Sequence, residues 1–153
     1  MDVNEKAPDF TLPDENGEPV KLSSFKGKPV VLFFYPRANT PGCTIEACGF
    51  RDQYGKLIRA GLTVLGISPD TPKAQKKFQE KYQLPYTLLA DADKEVAKLF
   101  DVLKEKNMYG KKVMGIERTT FLIAPDGTIS QVWRKVKPEG HAEQVLAEAN
   151  ARK

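Results

Sequence analysis

Cys43 and Cys48, the two cysteines of this 153-residue chain, lie five residues apart just after a loop rich in Pro, Asn and Gly. The residues after this loop have a helical pattern, so Cys43 lies where a helix begins. A thiol there meets backbone N–H groups without partners and the positive end of the helix dipole, and both favour the thiolate. Cys43 is therefore predicted to be a reactive nucleophile. The alternative is a small buried apolar residue, which describes many free cysteines.

Cys48 is a candidate redox partner for Cys43, but not while the helix is intact. Five residues of α-helix place the two Cα atoms roughly 8–9 Å apart, whereas a disulfide requires less than about 7 Å. A bond between them therefore requires this turn to unwind, and Gly49 lowers the cost of unwinding. The alternative for Cys48 is packing in the core.

Other cysteine chemistries fit less well. A cysteine protease or acyltransferase needs a histidine base, and the single histidine, His141, lies in a C-terminal helical pattern where we expect it at the surface. Two cysteines and one distant histidine do not make a zinc site, and the Cys-x-x-Cys spacing of dithiol oxidoreductases is absent. No metal ion or organic cofactor is expected.

Arg118 is a candidate for activating Cys43, because a cation beside the sulfur stabilises the thiolate. It precedes a predicted strand and could reach the thiolate or its substrate. A surface arginine paired with Glu117 or Asp126 is an equally good interpretation of the sequence alone. Arg134, after the only tryptophan, is expected at the surface.

The hydrophobic pattern predicts alternating strands and helices after an N-terminal hairpin. The apolar run 30–35, between two prolines, is typical of a strand buried on both faces. One helix is predicted to follow it and to end at Gly61, and Asp93 is predicted to cap a later helix. The predicted elements are a hairpin (10–12, 20–22), strands (30–35, 62–67, 86–90, 119–124, 128–133), helices (about 43–60, 72–82, 93–100, 139–150) and a loop or hairpin (102–115).

This order predicts an α/β fold. Strand–helix–strand units imply parallel strands with right-handed crossovers, and the last hairpin adds antiparallel strands. A thioredoxin-like fold, with a mixed central sheet and helices on both faces, accommodates both features. Residues 1–153 are predicted to form a single domain, with Cys43 at the carboxyl end of a central strand, where open α/β sheets place their sites.

Charge and hydropathy exclude other classes of function. The net charge of +4 comes from scattered lysines and arginines with acids between them, which indicates a solvated surface and not a nucleic-acid site. No apolar run has membrane-spanning length, and the N-terminus does not resemble a signal peptide. A cytoplasmic protein that binds neither membrane nor nucleic acid is expected. In a reducing compartment, two cysteines are more often catalytic than structural.

The spacing Pro36-x-x-x-Thr40-x-x-Cys43 resembles the active-site signature of peroxiredoxins. With Glu46 and Cys48 it is similar to the Q-type branch, the bacterioferritin-comigratory proteins. Further similarity lies downstream, in residues 100–102, 106–110 and 115–123.

The resemblance implies a peroxidase mechanism without a cofactor. Cys43 would attack the peroxide and become a sulfenic acid, and Cys48 would resolve it as an intramolecular disulfide that thioredoxin or a similar dithiol reduces. Thr40 would hydrogen-bond the peroxide and the thiolate, and Pro36 would shield the sulfenate. Arg118 would hold the thiolate and polarise the peroxide.

In this resemblance Glu46 would orient Arg118. A monomer is expected, since the disulfide needs no second subunit. Two alternatives remain open: a thiol–disulfide reductase of the same fold, and a binding or chaperone module without catalysis.

Overall fold

The computed structural model describes residues 1–151. The strands are β1 (Thr11–Pro13), β2 (Pro19–Lys21), β3 (Val30–Phe34), β4 (Thr63–Ser68), β5 (Thr87–Ala90), β6 (Leu103–Met108), β7 (Lys111–Ile116), β8 (Thr119–Ile123) and β9 (Ile129–Trp133). The helices are α1 (Pro41–Asp52), α2 (Tyr54–Arg59), α3 (Pro72–Lys81), α4 (Glu95–Leu99) and α5 (His141–Ala151), with a 3₁₀ turn at Leu22–Phe25.

A mixed five-stranded sheet forms the centre of the protein, in the order β5-β4-β3-β8-β9. Strands β3, β4 and β5 are parallel, whereas β8 is antiparallel to β3 and to β9. The predicted thioredoxin-like arrangement is confirmed. The middle strand, β3, is buried along its whole length, which is why its sequence is uniformly apolar.

Alternate residues of β3 supply two hydrophobic layers, because successive side chains of a strand point to opposite faces. Val31 and Phe33 belong to the layer beneath α1, α3 and α5. Leu32 and Phe34 belong to the opposite layer, beneath α4. Burial on both faces makes β3 a rigid base for the loop and helix that follow it.

The single helix predicted after the cysteine loop is divided in two. The backbone changes direction at Gln53 (φ −96°, ψ 2°) between α1 and α2. Hydrogen bonds continue across the break, from Gln53 N to Gly49 O at 3.1 Å and from Leu57 N to Gln53 O at 3.0 Å. The chain therefore bends without forming a loop. Gly61 follows α2 with φ +86°, as expected for a residue that ends a helix.

The prediction that Asp93 caps a helix is wrong, because Asp91 occupies that role. Its carboxylate accepts from Val96 N at 3.2 Å and Ala97 N at 2.9 Å. Lys94 precedes α4 in the left-handed region, at φ +61°. The turn around Lys94 brings the earlier carboxylate over the helix start, and a left-handed turn cannot be inferred from a lysine.

The two small hairpins lie outside the central sheet. Strands β1 and β2 pair antiparallel as predicted, and β6 pairs with β7 over the segment predicted as a loop or hairpin. Within residues 1–151, no helix is long and apolar enough to cross a membrane.

Candidate active site

Cys43 lies in the first turn of α1, just beyond the carboxyl end of β3. Its side chain is only 1% exposed. Pro41 occupies the first turn of the helix, where its missing N–H costs nothing. The predicted position of Cys43 at a helix start is confirmed, and the structure adds that its side chain is buried.

Arg118 contacts the sulfur because of the sheet register. Phe34, the last residue of β3, pairs with Thr119, the first residue of β8. Arg118 therefore lies beside the start of α1, with Nη2 3.4 Å from Cys43 Sγ and Nη1 2.9 Å from Glu46 Oε1. The alternative pairings of Arg118 with Glu117 or Asp126 are not observed.

Gly42 makes room for the guanidinium. A Cβ added to Gly42 would lie 3.1 Å from Arg118 Nη2, which is closer than an ordinary contact. The glycine next to Cys43 thus allows the cation to approach the first turn of the helix. From the sequence alone, Gly42 is only one residue of the loop before Cys43.

Glu46 is a buried carboxylate with one hydrogen-bonded oxygen. Oε1 accepts from Arg118, while Oε2 has no hydrogen-bond partner within residues 1–151. Burial raises the pKa of Glu46 to about 7, although the charge and hydrogen bond of Arg118 act in the opposite direction. Burial also opposes the charge on Arg118, but Glu46 and Cys43 together raise the guanidinium pKa. Arg118 therefore interacts electrostatically with both Glu46 and Cys43.

Thr40 and Pro36 lie in the loop that connects β3 to α1, on the N-terminal side of Cys43. Thr40 precedes the helix, and its hydroxyl donates to the Arg37 carbonyl at 2.8 Å. The expected hydrogen bond from Thr40 to Cys43 does not occur among the contacts of the described residues. Because its proton is directed to Arg37, the Thr40 oxygen can instead accept from an incoming peroxide. Pro36 is half-buried, two residues after the end of β3.

Cys48 lies on the same unbroken helix, and both cysteines are free thiols. It is partly exposed, whereas Cys43 is buried. Partial burial raises the pKa of Cys48, and Arg51 opposes this shift while Asp52 adds to it. The structure therefore holds the dithiol form, in which α1 keeps the two sulfurs on separate turns.

The surface position predicted for His141 is wrong. It is only 1% exposed, with Nε2 2.8 Å from Thr120 Oγ1 and Nδ1 3.2 Å from Gln144 Oε1. Burial lowers the pKa of His141, the hydrogen bond with Gln144 opposes this, and the charge of Arg118 adds to it. The helical period contained the signal, because the buried Val145 lies one turn further along α5. Arg134 is at the surface as expected, bonded to Asp2.

Within the described part of the chain, no three His, Cys, Asp or Glu side chains group together as metal ligands. The chemistry available at the site is that of a buried sulfur nucleophile, an adjacent guanidinium and a polar loop. Such a site can attack a small electrophile and stabilise negative charge that develops beside the sulfur.

A model of the AhpC/TSA family matches residues 3–132. A Coxiella burnetii protein of the peroxiredoxin bcp type is 54% identical over 146 residues, covering 95% of this chain and 97% of its own. Peroxiredoxin Bcp of Escherichia coli K12 is 48% identical over 140 residues, covering 92% of this chain and 90% of its own.

A solved structure of the Xanthomonas campestris bacterioferritin comigratory protein, from work on its alkyl peroxide reduction activity, superposes with a TM-score of 0.93. It is 41% identical, and the match covers 99% of each chain.

Proposed function

This chain belongs to the AhpC/TSA family and is a peroxiredoxin of the Q-type, bacterioferritin-comigratory branch, and we propose that Cys43 is its peroxidatic cysteine. The enzyme is a thiol peroxidase that takes a peroxide as substrate and a thiol as reductant. Hydrogen peroxide and organic hydroperoxides are the proposed substrates, since the Xanthomonas campestris relative was studied for alkyl peroxide reduction.

The contact between Arg118 Nη2 and Cys43 Sγ, at 3.4 Å, carries the proposal. A guanidinium beside a buried sulfur favours the thiolate, which is the reactive form. The same group can donate to a peroxide oxygen, because a guanidinium has five N–H donors and, within residues 1–151, its hydrogen bonds are those to Glu46 and Cys43. Glu46 orients Arg118 by accepting a hydrogen bond from Nη1, the guanidinium nitrogen that does not contact the sulfur.

In the first step the Cys43 thiolate attacks the terminal oxygen of the hydroperoxide. An S–O bond forms, the O–O bond breaks, and the leaving oxygen takes the electron pair and then a proton to become water or an alcohol. Arg118 stabilises the charge on the leaving oxygen. Thr40 accepts a hydrogen bond from the substrate hydroxyl, Pro36 limits access of water to the product, and Cys43 is left as a sulfenic acid.

In the second step the Cys48 thiolate attacks the sulfur of this sulfenic acid. An S–S bond forms and hydroxide leaves, taking a proton to become water. Because α1 is intact from Pro41 to Asp52, part of it must unwind first. An external dithiol then supplies two electrons and two protons to regenerate both cysteines.

Thioredoxin or a similar dithiol is the proposed reductant, and a reducing compartment such as the cytoplasm the proposed location. We propose that the enzyme acts as a monomer, because both cysteines of the cycle lie in one helix. The proposed functional unit is the whole chain, residues 1–153.

Peroxide consumption by the wild type, Cys43→Ser and Cys48→Ser proteins tests the assignment. With thioredoxin as reductant, both variants should lose turnover, by on the order of a thousandfold for Cys43→Ser because the nucleophile is removed. With one equivalent of peroxide and no reductant, Cys48→Ser should still form a sulfenic acid that a dimedone label detects, and Cys43→Ser should not. Full activity of Cys43→Ser would refute the role of Cys43, and normal thioredoxin-dependent cycling of Cys48→Ser would refute that of Cys48.

A further inference from the structure

Lys106 is a half-buried lysine on β6 whose ammonium donates to a backbone carbonyl. It lies opposite Val113 in the β6–β7 hairpin. Its side chain crosses toward the end of β7, and Nζ donates to the backbone carbonyl of Ile116. Ile116 is itself buried and lies two residues before Arg118. The hydrogen bond of Lys106 therefore acts on the segment that leads into the peroxide site.

Gly115 provides the path for the stem of this lysine. A Cβ added to Gly115 would lie 3.0 Å from Lys106 Cδ, 3.4 Å from Cε and 3.6 Å from Nζ. Any other residue at this position would compete with the lysine for the same space. The glycine and the lysine thus form a matched pair that brings an ammonium to the Ile116 carbonyl.

The backbone between Ile116 and Arg118 is held on several sides. Glu117 N donates to Val102 O at 2.8 Å, and Thr119 Oγ1 donates to Glu117 O at 2.8 Å. Lys106 adds a charge-assisted hydrogen bond to the Ile116 carbonyl, at the start of this turn. The turn presents Arg118 to Cys43, so its rigidity sets how precisely the guanidinium is placed.

The ammonium of Lys106 is also close enough to interact electrostatically with the site. Burial and the charge of Arg118 lower the Lys106 pKa, while Cys43 and Glu117 oppose this shift. Within residues 1–151, no carboxylate lies within 4.0 Å of Lys106 Nζ. Lys106 therefore adds a positive charge without a directly contacting carboxylate among residues 1–151, while the charge of Glu117 acts on it from further away.

We propose that Lys106 is a positioning residue of the peroxide site, which fixes the turn carrying Arg118 through the Ile116 carbonyl and adds a second positive charge that favours the Cys43 thiolate. This inference rests on the proposed function, because it assigns Lys106 to the site where Cys43 reacts. Lys106 is not predicted from the sequence as a site residue, since a lysine among the four in this polar hairpin has no pattern that separates it from a surface charge.

The thiolate of Cys43 is influenced by other groups besides Lys106. Within residues 1–151, the titratable and charged side chains that interact with Cys43, with Arg118 or with Lys106 are Tyr35 after β3, Glu46 on α1, Lys106 on β6, Glu117 and Arg118 before β8, and His141 on α5. A test must therefore change Lys106 alone and follow Cys43 directly.

Replacing Lys106 by methionine removes the charge and keeps most of the stem. We expect Lys106→Met to raise the pH midpoint of Cys43 ionisation and to slow oxidation by peroxide at neutral pH about threefold to tenfold, which corresponds to a shift of one pKa unit or less. The midpoint is measured by thiolate absorbance in a Cys48→Ser background, and the rate by stopped-flow with hydrogen peroxide.

Lys104→Met is the matched control. Lys104 lies on the same strand and changes the net charge equally, but its ammonium pairs with Asp101 at 3.4 Å and not with the turn. We expect this control to leave the midpoint and the rate unchanged. Lys106→Arg, which restores the charge, should recover most of the rate.

Gly115→Ala is a second, independent variant that leaves every charge in place. The added methyl displaces the Lys106 stem, so the rate should fall in the same direction, by about twofold, and this variant decides the question if Lys106→Met does not fold. The inference is overturned if Lys106→Met matches Lys104→Met in both the midpoint and the rate, or if the folded Gly115→Ala protein is unaffected. If wild-type Cys43 is not oxidised by peroxide, the proposed function fails, whereas the ionisation midpoints still report the effect of Lys106.

Discussion

The two halves of α1 place their cysteines in opposite surroundings. In the first half Cys43 is buried, lies 3.4 Å from a guanidinium and shares that cation with the buried Glu46. In the second half Cys48 is partly exposed, and its neighbours Arg51 and Asp52 pair with each other at the surface. Two identical side chains on one helix thus differ in solvation, charge and hydrogen bonding.

This difference separates the two tasks that we propose for the thiols. Attack on a peroxide requires a thiolate and a fixed donor for the leaving oxygen, and only the first half of α1 has both. Formation of the disulfide requires a thiol that can move. Cys48 is partly exposed to solvent, and the adjacent Gly49 lowers the cost of local unwinding. Phe50, however, is fully buried and stacks on Phe33 with ring centroids 4.6 Å apart. The turn that must unwind is therefore anchored at one point.

The largest effect is expected from removing the cation beside Cys43. Arg118→Met should slow peroxide oxidation of Cys43 about a hundredfold, because the thiolate and the leaving oxygen both lose their donor. Stopped-flow oxidation in a Cys48→Ser background measures the rate. Arg51→Met removes the equivalent cation beside Cys48 and should leave this rate unchanged. Equal effects of the two substitutions would show that Arg118 influences Cys43 no more than Arg51 does.

A smaller effect is expected from neutralising Glu46, and it should depend on pH. The folded-state pKa of Glu46, about 7, lies above the ordinary value of 4.5. The native state therefore binds this proton more tightly than the unfolded state, so stability contributed by the protonated carboxyl is lost as pH rises from about 4.5 through 7. Glu46→Gln lacks this loss, so its stability relative to the wild type should be greater at pH 8 than at pH 5. Oxidation of Cys43 should slow about tenfold, because Arg118 is less well oriented.

Urea denaturation at the two pH values measures the relative stability. Asp52→Asn, which neutralises the exposed carboxylate in the second half of the helix, should show no comparable dependence on pH. A stability difference between wild type and Glu46→Gln that is the same at pH 5 and pH 8 would contradict the raised pKa of Glu46.

The smallest effect is expected from stiffening the turn of Cys48. Gly49→Ala should stabilise the helix by about 0.5–1 kcal/mol, which lowers the unwound population and slows disulfide formation about twofold to fivefold. The added methyl would lie 3.7 Å from Ala142 Cβ, an ordinary contact, so no clash complicates the result. Quenched-flow trapping of free thiols after one equivalent of peroxide measures the step.

Gly55→Ala is the control for Gly49→Ala. Gly55 lies inside α2, and no neighbouring atom approaches the position of its added methyl. It should stabilise its own helix without slowing disulfide formation. If both variants slow the step equally, the effect is global and Gly49 has no special role.

Most of the elements could be predicted because their patterns are local. The uniformly apolar sequence of β3, for example, indicates a strand buried on both faces whatever surrounds it. The errors arose where a distant or conformational feature decided. Asp91 caps α4 in place of Asp93 because Lys94 adopts a left-handed turn. His141 is buried because α5 packs that face against Thr120 of β8.

The local sequence places Cys43 at a helix start, because it follows a Pro/Asn/Gly loop and precedes a helical pattern. It also determined that the helix keeps Cys48 away from Cys43, since that follows from helical geometry alone. The cation that contacts the Cys43 sulfur is fixed by the folded structure. Arg118 is far from Cys43 in sequence, and it arrives because β8 pairs antiparallel with β3 in the register that places Thr119 opposite Phe34. No turn joins β3 to β8 and sets their register, so their pairing is decided only when the whole sheet assembles.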